Sequence, residues 1–164
     1  MNVRRQLTLF VNENFSNEIE AIRRKYNPAQ YALIKAHVTL CREDEIENIE
    51  TIIKNLKILN QKQITINFEN AERFSDGKGV WISANKTNAE YHDLRKKILK
   101  NTSATIRFPE PHITLIHPRN ATCTDEIFSK IQQLKFPKTI RFDTISLIEQ
   151  QDRGKWEIIE QFKM

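Results

Sequence analysis

The sequence predicts a mixed fold of strands and helices that is built from two similar halves. Amphipathic helical segments alternate along the chain with short strand-like segments. The same order of elements occurs twice: a strand, a helix, a second strand with a His-x-Thr motif, another helix and a further strand. We therefore expect one domain over residues 1–164, made of two lobes.

Four segments have the pattern of amphipathic helices. In each of them, apolar residues recur at steps of three and four positions, which places them on one helical face. Pro28 and Pro137 follow the first and the last of these segments, as is common beyond helix ends. Thr87 and Glu90 have the spacing of a capping box before the third segment. The predicted helices cover residues 15–26, 46–56, 91–98 and 127–134.

Seven short segments alternate between apolar and polar residues and are rich in β-branched and aromatic side chains. This pattern is typical of strands that bury one face. Alternation also determines which residues share a face, because side chains two positions apart point the same way. The predicted strands cover residues 7–11, 37–40, 64–68, 80–84, 112–115, 139–142 and 156–162.

The two halves can be aligned with a nearly constant offset. His37 and His112 lie 75 positions apart, and the strands before and after them keep almost the same separation. This regularity favours an internal duplication, with two α/β units that are alike by chance as the alternative. We place lobe 1 at about residues 1–75 and lobe 2 at about 79–164, joined near the glycines of segment 74–79, and allow the chain to cross between them.

The composition excludes several classes of protein. No apolar run is long enough to span a membrane and the N-terminus has no signal peptide, so we expect a cytoplasmic protein. Cys41 and Cys123 stand apart, with no cluster of Cys or His around them, and predict neither a disulfide framework nor a zinc site. The net charge of +5 and the pI near 9.2 favour a polyanionic partner without requiring one.

The His-x-Thr motif occurs as His37 with Thr39 and as His112 with Thr114. Within each strand the His and Thr share one face, while their apolar neighbours point to the other. If the apolar faces pack on helices and the lobes face each other, one cleft holds two imidazoles and two hydroxyls. One imidazole could then act as general base and the other as general acid, while the hydroxyls hold phosphate oxygens. A single strand histidine is more often structural, but two in matching places of a repeat favour catalysis.

The sequence resembles the 2H phosphoesterase superfamily, in the branch of 2′,5′-RNA ligase-like proteins and cyclic phosphodiesterases. The pattern of that family, His-hydrophobic-Thr/Ser-hydrophobic twice, is met by residues 37–40 and by residues 112–115, the latter preceded by Pro111. The resemblance implies an α+β fold with two pseudo-symmetric lobes, each an antiparallel sheet flanked by helices, and a central groove for the motif residues. It implies as substrates 2′,3′-cyclic phosphates, related nucleotide cyclic phosphates or 2′,5′-linked RNA.

We therefore predict a phosphodiesterase that needs no metal and no cofactor, takes RNA or a nucleotide as substrate, does not bind membranes and acts as a monomer. The sequence leaves open which histidine is the base and which the acid. One alternative is a non-catalytic RNA-binding protein that uses the groove to bind phosphate. Another is a 2′,5′ RNA ligase that runs the transesterification in reverse.

Three further residues are candidates for substrate binding. Phe10 and Trp81 are expected on the cleft face, where they could stack on a base, although ordinary aromatic packing is the alternative. Arg141 is a candidate phosphate partner, or else a plain surface arginine. His117 would lie on the opposite strand face from His112 if the strand continued that far, but Pro118 ends pairing there. Neither His117 nor His92 is assigned a catalytic role.

A run of basic residues in the second half could follow an RNA backbone outside the cleft. The simpler interpretation is a solvated helix face. The run consists of Arg95, Lys96, Lys97, Lys100 and Arg107.

Overall fold

An eight-stranded antiparallel sheet organises the chain. The computed structural model describes residues 1–84 and 87–164. Along these residues the order of elements is β1 (Val3–Phe10), α1 (Glu13–Tyr26), α2 (Pro28–Leu33), β2 (His37–Cys41), a 3₁₀ helix (Glu43–Glu45), α3 (Ile49–Lys57), β3 (Ile64–Arg73), β4 (Val80–Ala84), α4 (Ala89–Ile98), β5 (His112–Ile116), α5 (Asp125–Gln132), β6 (Thr139–Phe142), β7 (Thr144–Gln151) and β8 (Trp156–Lys163).

The two motif strands lie side by side at the centre of this sheet. The strand order is β6-β3-β4-β5-β2-β1-β7-β8, so that three strands flank β5 on one side and three flank β2 on the other. Every neighbouring pair is antiparallel. The chain crosses the centre of the sheet between β2 and β3, and it crosses back between β6 and β7.

The predicted α+β class is confirmed, and each predicted strand is present. Two of them, Val80–Ala84 and Thr139–Phe142, have the predicted bounds, whereas the others begin or end a few residues away. Strand β7 is not predicted by the sequence pattern, because its residues 145–148 are all buried and do not alternate. Helix α2 is not predicted either, because it buries none of its residues and has no apolar stripe. Pro28 lies just past the end of the first helix, as predicted, and it is also the first residue of α2.

The predicted start of the third helical segment is wrong. That helix, α4, begins at Ala89 with Asn88 as its N-cap residue. The carboxylate of Glu90 accepts the backbone N–H of Thr65 at 2.9 Å, and so joins the helix to β3 instead of completing a capping box with Thr87. A long-range contact has replaced the local one that the spacing suggested.

The core lies between the helices and one face of the sheet. Val38 and Leu40 of β2, and Ile113 and Leu115 of β5, are at most 1% exposed, as the alternation predicted. Helix α1 packs against β5 and α4 packs against β2, so each motif strand is covered by a helix from the other half of the chain. The motif side chains consequently point to the opposite face. No helix in the described ranges is both long and apolar enough to span a membrane.

Candidate active site

The four motif residues line one cavity of about 630 Å³. His37 and Thr39 reach it from β2, and His112 and Thr114 reach it from the adjacent β5. The alternation of side chains along each strand places them there, because their apolar neighbours are held in the core. The structure thus brings together the two imidazoles and two hydroxyls that the sequence analysis expected in one cleft.

Both catalytic candidates are oriented by a backbone carbonyl. Nδ1 of His37 donates to the carbonyl oxygen of Lys35 at 2.7 Å, and Nδ1 of His112 donates to that of Glu110 at 3.0 Å. A carbonyl oxygen can only accept, so the proton of each neutral ring is on Nδ1. Nε2 is then the nitrogen that can take up or release a proton in the cavity.

Burial controls the protonation of both rings. It lowers the pKa of His37 to about 4, with a further contribution from the Arg23 guanidinium, although the bond to the Lys35 carbonyl opposes the shift. Burial also lowers the pKa of His112, and the charge of Arg42 acts in the same direction. Both imidazoles of the ligand-free protein are therefore neutral at pH 7, with His37 the harder of the two to protonate.

The two threonine hydroxyls are available to a ligand. Thr39 and Thr114 are half-buried at the cavity wall. Neither hydroxyl has a hydrogen-bond partner within the part of the chain that the structure describes. A hydroxyl can donate one hydrogen bond and rotate to direct it, which suits a negatively charged oxygen.

The two aromatic candidates lie behind the histidine rings. Phe10 is opposite His37 in the β1–β2 pairing, and the two ring centroids are 6.1 Å apart in an edge-to-face arrangement. The Trp81 and His112 centroids are 4.5 Å apart. Neither aromatic residue lines the cavity. Both rings contact the imidazoles from outside the cavity wall.

Arg141 is not brought together with the motif residues. It lies on β6, the edge strand of the sheet, and its side chain is exposed. It borders a separate depression that it shares with Phe10 and Asp143. The cause is the strand order, which puts β3 and β4 between β6 and the nearer motif strand and which the sequence pattern did not reveal.

His117, in contrast, lines the cavity, because the strand does not continue to it and the condition for its facing away from His112 is not met. Strand alternation would have placed it on the other face, but β5 ends at Ile116. The chain turns at that point, and alternation no longer applies. His92 stays outside the cavity, on α4, where its ring packs against Tyr91 and Phe108.

Arg23 is a cavity residue that the sequence analysis did not single out. Its side chain is 2% exposed and donates to the Glu20 carboxylate and, at 2.6 Å, to the carbonyl oxygen of Ile34. A signal was present in the sequence, because Arg23 follows Ile19 by four positions and so lies on the apolar face of α1. A charge on an apolar helix face indicates a paired or functional group.

Three more arginines contribute positive charge to the cavity. Arg4 pairs with Glu43 at 3.1 Å and lies 5.4 Å from the centroid of the Trp156 ring, which also lines the cavity. The guanidinium groups of Arg42 and Arg119 form no ion pair with any described residue. These unpaired charges favour an anionic ligand. No sequence pattern distinguished these arginines from the other basic residues.

The basic run in the second half does not form a continuous surface. Arg95 is buried against Glu45, and Arg107 pairs with Asp44 at 2.9 Å. Arg95 and Arg107 are therefore paired with carboxylates of the protein itself, Arg95 in the interior and Arg107 at the surface. An RNA backbone that followed this run would therefore meet no unpaired cation at these two positions.

Among the described residues, no three His, Cys, Asp or Glu side chains come close enough to hold a metal ion. Cys41 and Cys123 are buried and unpaired. Burial raises the pKa of Cys41 to about 12, which keeps this thiol protonated and unreactive.

Fold and site together define a 2H phosphoesterase, the class with two His-x-Thr strands at the centre of one sheet. The family model of the 2′-5′ RNA ligase superfamily matches residues 11–154, which include both motifs. The chain belongs to this superfamily. Among curated proteins, none matches the sequence significantly.

Solved structures share the fold over nearly the full length. E. coli LigT in complex with phosphate is 16% identical, with 98% of this chain and 96% of that one covered and a TM-score of 0.65. LigT in complex with 3′-AMP is 15% identical, with 98% and 97% covered and a TM-score of 0.66. A protein described as a phosphoesterase is 13% identical, with 99% of both chains covered and a TM-score of 0.68. At these identities the likeness concerns the fold alone.

Proposed function

We propose that the protein is a metal-independent phosphodiesterase that opens 2′,3′-cyclic phosphates at RNA ends, or related cyclic or 2′,5′-linked nucleotides, by two-histidine acid/base catalysis. The observation that carries this proposal is the shared cavity of His37, Thr39, His112 and Thr114, in which both imidazoles keep Nε2 for proton transfer. Membership of the 2′-5′ RNA ligase superfamily supports it. The crystallised complexes of LigT with phosphate and 3′-AMP agree with such a ligand class.

In the proposed reaction, His37 is the base and His112 is the acid. Nε2 of His37 takes a proton from water while the water oxygen bonds to phosphorus. The bond from phosphorus to one ribose oxygen breaks, and Nε2–H of protonated His112 gives its proton to that oxygen. The low pKa of His37, which keeps its ring unprotonated, and the milder shift at His112 support this order.

The remaining groups of the cavity stabilise charge on the phosphate. The hydroxyls of Thr39 and Thr114 donate to non-bridging oxygens, where negative charge accumulates as water attacks. The unpaired guanidinium groups of Arg42 and Arg119 attract the anionic substrate and partly neutralise it. An anion bound in the cavity also raises the pKa of both histidines, which favours protonation of His112 once the substrate is present.

The test is hydrolysis of a 2′,3′-cyclic nucleotide and of a short RNA that ends in a 2′,3′-cyclic phosphate, with EDTA present. We expect His37→Ala and His112→Ala each to lose about 10²–10⁴-fold in kcat. His92→Ala is the matched control, since this histidine lies outside the cavity. Undiminished hydrolysis by the double variant of His37 and His112 would disprove the mechanism.

A non-catalytic RNA-binding protein is the second candidate, favoured by the unpaired charges of Arg42 and Arg119 in the cavity. It predicts RNA binding that weakens with salt, persists in the His37→Ala and His112→Ala variants and is accompanied by no turnover. The same RNA, labelled and titrated at two salt concentrations, distinguishes the two functions. Turnover that disappears with either histidine excludes the binding-only function.

A further inference from the structure

His117 has a hydrogen-bond arrangement opposite to that of the two motif histidines. The backbone N–H of Arg119 donates to Nδ1 of His117 at 3.1 Å. Nδ1 is therefore an acceptor without a proton, and the proton of the neutral ring is on Nε2. His37 and His112 instead carry the proton of the neutral ring on Nδ1. The cavity thus contains two rings prepared to accept a proton on Nε2 and one ring prepared to donate a hydrogen bond from Nε2.

The turn that carries His117 is held in place by buried polar contacts. The side chain of Asn27, which is fully buried, accepts the backbone N–H of His117 at 2.7 Å and donates to the side chain of Asn120 at 2.8 Å. The carbonyl oxygen of His117 accepts the backbone N–H of Ala121 at 3.2 Å. A donor on such a fixed segment is oriented before the ligand arrives, which makes its hydrogen bond more effective.

The bond to Nδ1 also determines what this ring can do. Protonation of Nδ1 would place two N–H groups against each other and break the turn contact with Arg119. His117 is therefore suited to donate a hydrogen bond from the neutral ring and is not suited to exchange protons during the reaction. Like the threonine hydroxyls, a neutral imidazole N–H can donate a hydrogen bond without giving up its proton. Its partner would be a negatively charged oxygen.

We propose that His117 is a substrate-binding residue whose Nε2–H donates to a non-bridging oxygen of the substrate phosphate. The inference rests on the proposed function, since it places a phosphodiester in the cavity between the motif residues. It adds a third histidine to the site with a role distinct from that of His37 and His112. The chemical class of ligand is a phosphate monoester or diester, recognised through its non-bridging oxygens.

Two substitutions separate the donor role from the turn-supporting role. In His117→Asn, the shorter side chain can still accept the N–H of Arg119, as Asn does in turns, but it offers no donor at the position of Nε2. In His117→Gln, the longer side chain carries an amide N–H near the position of Nε2 but does not place its oxygen at the position of Nδ1. His117→Asn therefore keeps the turn contact and loses the donor, whereas His117→Gln keeps the donor and loses the turn contact.

The proposal predicts that kcat/KM for a 2′,3′-cyclic nucleotide falls on the order of tenfold to a hundredfold in His117→Asn, mostly through KM, and is largely recovered in His117→Gln. His92→Ala serves as the control for loss of a histidine elsewhere, and thermal unfolding verifies that each variant is folded. The reverse order, with the Asn variant active and the Gln variant impaired, would show that the ring only supports the turn. Wild-type kinetics in both variants would overturn the proposal as well.

Binding of inorganic phosphate, measured by calorimetric titration, tests the same hydrogen bond without any turnover. We expect the Kd to rise about tenfold in His117→Asn and to remain closer to the wild-type value in His117→Gln. An equal Kd in all three proteins, or no phosphate binding by the wild type, would overturn the inference. If phosphate binds as expected while no cyclic phosphate is hydrolysed, the proposed function fails and the role of His117 as an anion donor stands.

Discussion

The imidazoles of His37 and His112 are fixed by the same local contact, a hydrogen bond from Nδ1 to the carbonyl oxygen of the residue two positions earlier. In each case that residue precedes the motif strand, so the backbone itself sets the tautomer. No carboxylate is needed to orient either ring. The two sites differ in their electrostatic surroundings, because Arg23 acts on His37 and Arg42 acts on His112.

The pH dependence of kcat/KM is expected to have its maximum on the acidic side of neutrality. The base must be deprotonated, so activity falls as the pH drops through the pKa of His37, which is about 4. The acid must be protonated, so activity falls again as the pH rises through the pKa of His112, which burial lowers from its ordinary value. Initial rates at low substrate concentration, measured from about pH 3.5 to about pH 9, record both limbs. A maximum on the alkaline side of neutrality would contradict the assignment.

The profile of kcat should lie at higher pH than that of kcat/KM. Since kcat reports the enzyme–substrate complex, the bound phosphate anion raises the pKa of His37 and of His112 in that state. Rates at saturating substrate, measured over the same range of pH, show the displacement. Identical profiles would mean that the phosphate does not come close to the two rings.

His37 should also make the protein less stable in mild acid. Its pKa is about 4 in the folded protein and near 6.5 in the unfolded chain, so below pH 6.5 the unfolded chain binds a proton that the folded protein does not. This contribution to stability is complete above pH 6.5 and is lost as the pH falls towards 4, by on the order of 3 kcal/mol in total. Urea unfolding of the wild type and of His37→Gln at several pH values gives the difference. Parallel curves for the two proteins would show that the pKa of His37 is not lowered.

The elements that the sequence predicted correctly are those whose local pattern agrees with their burial. Val38 and Ile113 alternate with the motif residues, so the face that carries the motif side chains followed directly from the strand period. The placement of Arg141, in contrast, depends on long-range contacts. Arg141 was placed in the cleft because alternation cannot reveal strand order, and β6 turned out to be an edge strand.

His117 and Arg23 show the complementary case, in which residues that line the cavity have no periodic pattern that would identify them. His117 follows the last residue of β5, and its direction depends on the contact of its backbone with Asn27, which is 90 positions away. Arg23 reaches the cavity from the end of α1. Only the folded chain brings these residues beside the motifs. For Arg23 alone, the charge on an apolar helix face indicated a paired or functional group.

The buried ion pair between Arg95 and Glu45 should be essential for stability. Nη1 of Arg95 donates to the Glu45 carboxylate at 3.1 Å and also binds the carbonyl oxygen of Leu40 in the motif strand β2. In Glu45→Gln the buried guanidinium loses its counter-charge, which should cost about 3–5 kcal/mol in the free energy of unfolding. Replacing both Arg95 and Glu45 with Met should recover most of this loss, since no charge is then left unpaired.

The exposed pair of Arg107 with Asp44 supplies the matched control. Asp44→Asn removes a carboxylate one position away from Glu45, but a solvent-exposed pair contributes only about 0–1 kcal/mol. Urea unfolding at pH 7 compares the variants. Equal destabilisation by Asp44→Asn and Glu45→Gln would show that burial of the inner pair has no particular importance.

The packing behind His112 should be sensitive to a single methyl group at Gly79. A Cβ at this position would lie 2.7 Å from the nearest atom of the Phe74 ring, closer than two carbon atoms can approach. Phe74 packs against Trp81 at 5.1 Å between centroids, and Trp81 packs against His112 at 4.5 Å. Gly79→Ala should therefore displace Phe74, cost about 1–3 kcal/mol in stability and lower kcat by loosening the support of the His112 ring.

Gly77→Asn is the control, since Gly77 has a positive φ that Asn tolerates and has space around it, and it should leave kcat unchanged. If Gly79→Ala lowers stability without lowering kcat, then the packing of Phe74 on Trp81 does not affect the orientation of the His112 ring.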